Sequence, residues 1–127
     1  MAKILLIDDD PLVLESLKLQ LEANDHQVTL AEHGGKGIKA FEADGFDAVV
    51  TDIHMPEVEG IATVRELRRI APNAVIIAMT GGSTVVVSTG NTSPDYLEMS
   101  RALGATDIIK KPFTGADLSR LLKKHLG

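Results

Sequence analysis

Phe46-Asp47-Ala48-Val49-Val50-Thr51-Asp52-Ile53-His54-Met55-Pro56 runs from a nearly continuous apolar stretch into a lone carboxylate and then a proline. The stretch reads as a strand buried on both faces, and Ile53 to Pro56 as the loop that leaves it, so Asp52 marks a strand's carboxyl end. An open α/β sheet places its chemistry there. The other clear buried run, Lys3-Ile4-Leu5-Leu6-Ile7, ends in Asp8 and Asp9, while two later runs end in Thr80 and Lys111, so four strand ends offer one convergent polar site.

Outward from these runs the chain alternates strand and helix. Pro11 suits a first helical turn, and Leu12, Leu14, Leu17, Leu19 and Leu21 are read as one apolar face reaching about Ala23, where Asn24-Asp25-His26 breaks the helix. Gln27 to Ala31 alternates as a second strand, and Gly34 to Ala43 reads as a second helix carrying Ile38 and Phe41 at helical spacing before Asp44-Gly45 turns the chain. Gly60 opens a third helix with Ile61, Val64, Leu67 and Ile70 on one face; Ala71-Pro72-Asn73 ends it before a fourth strand, Ala74 to Met79, with Thr80 just beyond. Pro94 to Leu103 reads as a helix, Asp107 to Lys110 as a short strand, and Asp117 to Leu126 as a closing helix with Leu118, Leu121 and Leu122 inward. Near-wholly apolar strands fit parallel pairing under helices on both faces, joined by right-handed crossovers. The expected fold is α/β: a doubly wound five-stranded parallel sheet in one domain spanning 1–127. In the flavodoxin-like order 2-1-3-4-5, the switch point brings Asp8, Asp9 and Asp52 to one crevice.

Composition narrows the function. The chain has 127 residues, 44% of them hydrophobic, enough for one core. A net charge of −5 without a basic stripe, and only 3% aromatic residues, argue against direct nucleic-acid binding. There is no cysteine, so neither a disulfide nor a thiolate metal site can form. No segment approaches the roughly 18 apolar residues of a membrane span, and no signal peptide is visible, so a cytoplasmic protein is expected.

Three acids in one crevice repel: at an effective dielectric of 20, each pair 4 Å apart costs roughly 4 kcal/mol. A cation is needed, and an all-oxygen donor set of few carboxylates suits Mg2+. Lys111 adds a fixed positive charge. This combination fits phosphoryl transfer, with one carboxylate attacking phosphorus while a metal, an ammonium and a hydroxyl hold the phosphoryl oxygens. Asp52, the isolated acid, is the nucleophile of choice; adjacent Asp8 and Asp9 suit metal binding.

These residues carry a resemblance. Ile7-Asp8-Asp9-Asp10, Asp52-Ile53-His54-Met55-Pro56 with Gly60, Met79-Thr80-Gly81, Gly104-Ala105 and Lys111-Pro112-Phe113, in this order, make the chain similar to response-regulator receiver domains of the two-component phosphorelay family from Lys3 to about His125. The 2-1-3-4-5 order is partly carried by this resemblance, since a member of that family is a standard example of it. The resemblance implies phosphorylation of Asp52 from a phosphohistidine on a sensor histidine kinase or histidine phosphotransfer protein. It also implies Mg2+ bound by Asp9, Asp52 and the His54 backbone carbonyl, with Asp8 acting through water. Thr80 and Lys111 would each hold a phosphoryl oxygen and move or tighten when the acyl phosphate forms, changing a protein-binding surface. A cis Lys111-Pro112 peptide is implied too. Such a domain promotes its own phosphorylation and dephosphorylation without turning over a small-molecule substrate.

Each residue has a plainer reading. The acids following Ile7 can cap the first helix, the role preferred for Asp10. Thr80 alone can be a turn residue and Lys111 a solvated lysine, while His54 can be a loop side chain beside the site that affects water access to the acyl phosphate. Two departures from the family pattern stand out. Ile108 occupies the place, three before the lysine, where receivers usually carry a switching tyrosine or phenylalanine; stiff at χ1 and without a hydroxyl, it is either ordinary strand packing or a modified switch. The Thr80 to Lys111 interval is roughly nine residues longer than usual, where connections of about 4–6 residues are typical. The excess is placed in an extended loop at about 81–93, read either as a flexible insertion or as a lid or partner surface carrying Val85-Val86-Val87.

With no effector expected after the last helix, output is expected through protein contacts. The alternative function is a phosphorylation-independent binding module on the same fold. A haloacid-dehalogenase-like phosphohydrolase would carry a general acid two residues after a nucleophile on its first strand, whereas the position two beyond Asp52 is His54 after a later strand, and a flavin carrier is disfavoured by the acids and the few aromatics.

Overall fold

The computed structural model describes residues 2–53, 59–81 and 104–126, with Glu59 and Gly81 described by backbone alone. The elements are β1 (Lys3–Ile7), α1 (Pro11–Glu22), β2 (Gln27–Ala31), α2 (Gly34–Asp44), β3 (Ala48–Asp52), α3 (Glu59–Ile70), β4 (Val75–Gly81), β5 (Asp107–Lys111) and α4 (Gly115–Leu126). The strands form one five-stranded sheet in the order β2-β1-β3-β4-β5, every neighbouring pair parallel. This is the expected doubly wound topology. The expected helix from Pro94 to Leu103 and the 81–93 loop, Gly81 backbone aside, lie outside the described residues.

Parallel strands covered on both faces divide their side chains between two cores. Leu5, Ile7, Val49, Ile76 and Ala78 pack under Phe41 of α2 and Val64 and Leu67 of α3. Ile4, Leu6, Val50, Ile77 and Met79 pack under Leu14, Leu17 and Leu21 of α1 and Leu118 and Leu122 of α4. Each fully buried Leu or Ile contributes about 2 kcal/mol relative to an exposed one.

Helix α1 corrects one expectation. Its leucines do not share one face: Leu14, Leu17 and Leu21 are buried, but Leu12 and Leu19 are 78% and 69% exposed. At about 100° per residue, positions 12 and 19 form a second stripe well away from 14, 17 and 21. The N-terminus is built as read: Asp10 is the N-cap, its carboxylate accepting from Leu12 N–H at 2.9 Å, and Pro11 follows. The C-terminus closes with His26 N–H on the Leu21 carbonyl and Asp25 N–H on the Glu22 carbonyl, with Asp25 at φ 68°. This is a Schellman ending with a non-glycine residue in the left-handed position.

Two other boundaries shift by two residues. β4 runs through Thr80 to Gly81, so Thr80 lies within the strand, and α4 begins before Asp117, at Gly115. The Thr114 hydroxyl accepts from Asp117 N–H at 3.1 Å while the Asp117 carboxylate accepts from Thr114 N–H at 3.0 Å, a reciprocal box that fixes the start of α4. Gly115 N–H donates across to Gln20 Oε1 of α1 at 2.6 Å. At the other end of the sheet, the Arg68 guanidinium donates to the carbonyls of Gly104, Pro72 and Ala74, each at 2.8 Å, and to Thr106 Oγ1 at 3.2 Å. One side chain thus ties the end of α3 to the entrances of β4 and β5. No helix among the described residues is long and apolar enough to cross a membrane.

Candidate functional site

Register assembles the site. Ile7 pairs with Thr51, so one residue further Asp8 and Asp52 leave neighbouring strands side by side. Asp8 and Asp52 are 1% and 5% exposed, whereas Asp9 is exposed. Oxygen atoms of Asp8, Asp9 and Asp52, one from each carboxylate, lie within 4.8 Å of one another. β5 ends at Lys111, whose Nζ donates to Asp52 Oδ2 at 3.0 Å and to Asp8 Oδ2 at 3.2 Å. The following Lys111-Pro112 peptide is cis, as expected.

The electrostatics follow from the burial. Desolvation raises the Asp8 carboxyl above its ordinary value; hydrogen bonding from Asp10 N–H and the charge of Lys111 oppose this, and Asp52 pushes it further up. For Lys111 burial works against the charged form, but the hydrogen bonds and charges of Asp52 and Asp8 outweigh it and raise its pKa. The same pair therefore shows a cation held charged and an acid that resists ionisation, because burial penalises the Asp8 charge more than an ammonium shared with Asp52 offsets.

Thr80 is fully buried, and its Oγ1 has no hydrogen-bond partner among the described residues. It pairs with Lys110 in the register that puts Ile108 opposite Ala78. Strand alternation sends Thr80 and Ile108 to the same face of the sheet, and Ile108 packs against the cluster under α3. His54 lies outside the described residues. The structure thus brings Asp8, Asp9, Asp52 and Lys111 together and buries Thr80 in the adjacent strand. The sequence reading did not anticipate that Asp10, besides capping α1, turns its N–H onto Asp8 Oδ1 at 2.9 Å; three successive acids before a proline were its only signal.

Fold and site together define a class of protein: a doubly wound α/β domain with an acid cluster at its switch point, two of its three carboxylates buried, and a lysine clamped onto those two. The chain belongs to the response regulator receiver domain family, whose family model matches residues 4–123. It is 34% identical over 123 residues to the protein PilH of Pseudomonas aeruginosa, covering 97% of this chain and 93% of PilH. It is 32% identical over 116 residues to the response regulator MprA of Mycolicibacterium vanbaalenii, covering 91% of this chain but 46% of MprA, so it spans about half of that relative. Among solved structures, a response regulator receiver domain protein from Clostridium thermocellum is similar with a TM-score of 0.83 and 29% identity, over 99% of this chain and 94% of that one. The resemblance drawn from the strand-end motifs is thereby borne out, and so is the fold order.

Proposed function

We propose that Asp52 accepts a phosphoryl group from a phosphohistidine of a sensor histidine kinase or histidine phosphotransfer protein, and that the modified domain acts by changing a protein-binding surface. The observation that carries this reading is the acid triad with Lys111 Nζ held between Asp52 and Asp8. An Asp52 carboxylate oxygen forms the bond to phosphorus as the bond from phosphorus to the donor imidazole nitrogen breaks, and the electron pair leaves with the imidazole. Lys111 then shifts its ammonium from Asp52 Oδ2 to a phosphoryl oxygen, and the Thr80 hydroxyl donates to another.

The donor set fits magnesium: oxygen atoms only, and carboxylates close enough to need a cation. Asp9, Asp52 and the His54 carbonyl would hold it directly and Asp8 through water. When bound it would neutralise phosphoryl oxygens and relieve repulsion among the acids. The reaction modifies the domain itself and does not turn over a small molecule. We place the domain in the cytoplasm, where such donors act.

Ile108 favours a second reading. Partly buried against the core cluster, where receivers usually carry a switching aromatic, it supports a binding module that works without phosphorylation. Intact-mass spectrometry after incubation with Mg2+ and acetyl phosphate separates the two. One added phosphoryl group, absent from Asp52→Asn, is the expected result; no adduct on the folded chain, from acetyl phosphate or from a histidine phosphotransfer donor, overturns it in favour of the binding module.

A further inference from the structure

The peptide that follows Asp52 is held from two sides. On one, Ile53 N–H donates to the Met79 carbonyl of β4 at 3.1 Å. The Ile53 side chain is buried in the cluster with Val64 and Leu67 of α3. On the other side, the first turn of α3 lies directly on the backbone: a Cβ at Gly60 would fall 2.5 Å from Ile53 Cα, 2.7 Å from the Asp52 carbonyl oxygen and 2.7 Å from the Ile53 carbonyl carbon. All three are backbone atoms, so no rotamer change relieves the overlap. Gly37 of α2 offers the contrast, since a Cβ there would meet Cδ1 and Cγ1 of Ile7, at 2.3 and 2.8 Å, which belong to a side chain that can turn. A side chain at position 60 must move either the helix or the Asp52–Ile53 peptide, and the hydrogen bond to β4 leaves that peptide little room to withdraw.

We propose that Gly60 is a positioning residue of the phosphoacceptor site. Its bare backbone lets α3 seat on the Asp52–Ile53 peptide and so sets where the Asp52 carboxylate stands relative to Asp8, Asp9 and Lys111. Gly60 touches none of the reacting atoms and acts through Asp52. The inference rests on the reading of Asp52 as phosphoacceptor, and it follows from how little displacement the cluster tolerates. Lys111 reaches Asp52 Oδ2 at 3.0 Å, and a misplacement of about 1 Å at a reacting group costs up to about 100-fold in rate.

The test compares the unsubstituted chain, Gly60→Ala and Gly35→Ala, all in an Asp25→Gly background that relieves strain at the end of α1. Gly35 is the control because it is exposed in the first turn of α2, where a Cβ would meet only the His33 ring, at 3.3 Å. Three readouts are taken: the Asp52 13Cγ shift in magnesium-free protein, Mg2+ affinity by calorimetry, and the rate of phosphorylation by acetyl phosphate. With the fold intact by circular dichroism, Gly60→Ala is expected to move the 13Cγ shift, weaken Mg2+ binding and slow phosphorylation about 10- to 100-fold, while Gly35→Ala changes none of them. Unchanged shift, affinity and rate in Gly60→Ala overturn the proposal. So does a Gly60→Ala chain that fails to fold in this background, since Gly60 would then serve the fold rather than carboxylate placement. If the unsubstituted chain takes no phosphoryl group, the phosphoacceptor reading fails, and the magnesium-free shift still decides whether Gly60 places the carboxylate.

Discussion

Lys111 Nζ sits 3.0 Å from Asp52 Oδ2, and the same nitrogen reaches Asp8 Oδ2 at 3.2 Å; the lysine side chain is 31% exposed, whereas those of Asp52 and Asp8 are 6% and 1% exposed. One partly wetted ammonium therefore serves two shielded carboxylates. Losing it removes the ammonium that both carboxylates share, and breaking such a pair costs about 3–5 kcal/mol when it is fully buried. Partial exposure reduces this, so Lys111→Met is expected to lower stability by about 1–3 kcal/mol in magnesium-free buffer. Urea unfolding with EDTA and with millimolar Mg2+ checks it. The loss should shrink when magnesium is present; an equal loss in both buffers would show that the cation and the lysine do not share the work of neutralisation.

Asp8 gives the site a pH signature. Burial, with Asp52 adding to it, raises this carboxyl above its ordinary value against the pull of Asp10 N–H and Lys111. The folded chain therefore holds the Asp8 proton to higher pH than the unfolded chain does. The stability linked to that proton is fully present below about pH 4 and is lost as pH rises through the folded value. Without magnesium, Asp8→Asn is expected to be more stable than the parent at pH 7, by about 1 kcal/mol, and to lose that advantage toward pH 4. Urea midpoints across this range measure it; a constant difference between the two proteins would remove Asp8 from the linkage.

The crevice was legible because strands buried on both faces make continuous apolar runs, and the first polar residue after each run marks its end. Asp8 was found that way, while Asp52 and Lys111 each stand one residue further on, after Thr51 and Lys110. What linear reading lost were angles and partners. Counting leucines merged Leu12 and Leu19 with the buried stripe of α1, although the helical period separates them. Starting the closing helix at Asp117 overlooked the Thr114-x-x-Asp117 box, whose spacing is visible in the sequence. Arg68 gave no signal: its acceptors are four backbone carbonyls and one hydroxyl, from residues 71 to 106, and backbone carbonyls look alike in every sequence. Gly60 was noticed as part of a pattern, but the contact that requires it depends on how α3 lies against β3.

The α1 terminus carries removable strain. Asp25 holds φ 68° in the left-handed position of the Schellman ending, where a glycine meets no steric penalty. Asp25→Gly is expected to stabilise the fold by about 0.5 kcal/mol, the relief being partly offset by the greater freedom glycine gives the unfolded chain. Thermal unfolding checks the sign, and Asp25→Ala supplies the opposite case because it keeps the Cβ and loses the polar side chain that eases this conformation. A Gly variant less stable than the parent would mean that the Asp25 carboxylate makes a contribution its backbone angle conceals.

Thr80 sets stability against chemistry at a single atom. Its side chain is fully buried, and Oγ1 has no partner among the described residues. A buried hydroxyl left unsatisfied costs about 1–3 kcal/mol, and valine keeps its shape without its polarity. Thr80→Val is therefore expected to raise the stability of the unphosphorylated domain by about 1 kcal/mol. The same substitution removes the hydroxyl assigned to a phosphoryl oxygen, so phosphorylation of Asp52 by acetyl phosphate should slow by about 10-fold or more. Thr80→Ser, which keeps the hydroxyl and loses the methyl, should reverse the pattern, giving up stability and retaining most of the rate. Urea unfolding and intact-mass time courses on the three proteins separate these outcomes. If the valine variant were both destabilised and phosphorylated at the parental rate, the hydroxyl would be satisfied in the resting domain and idle in the reaction.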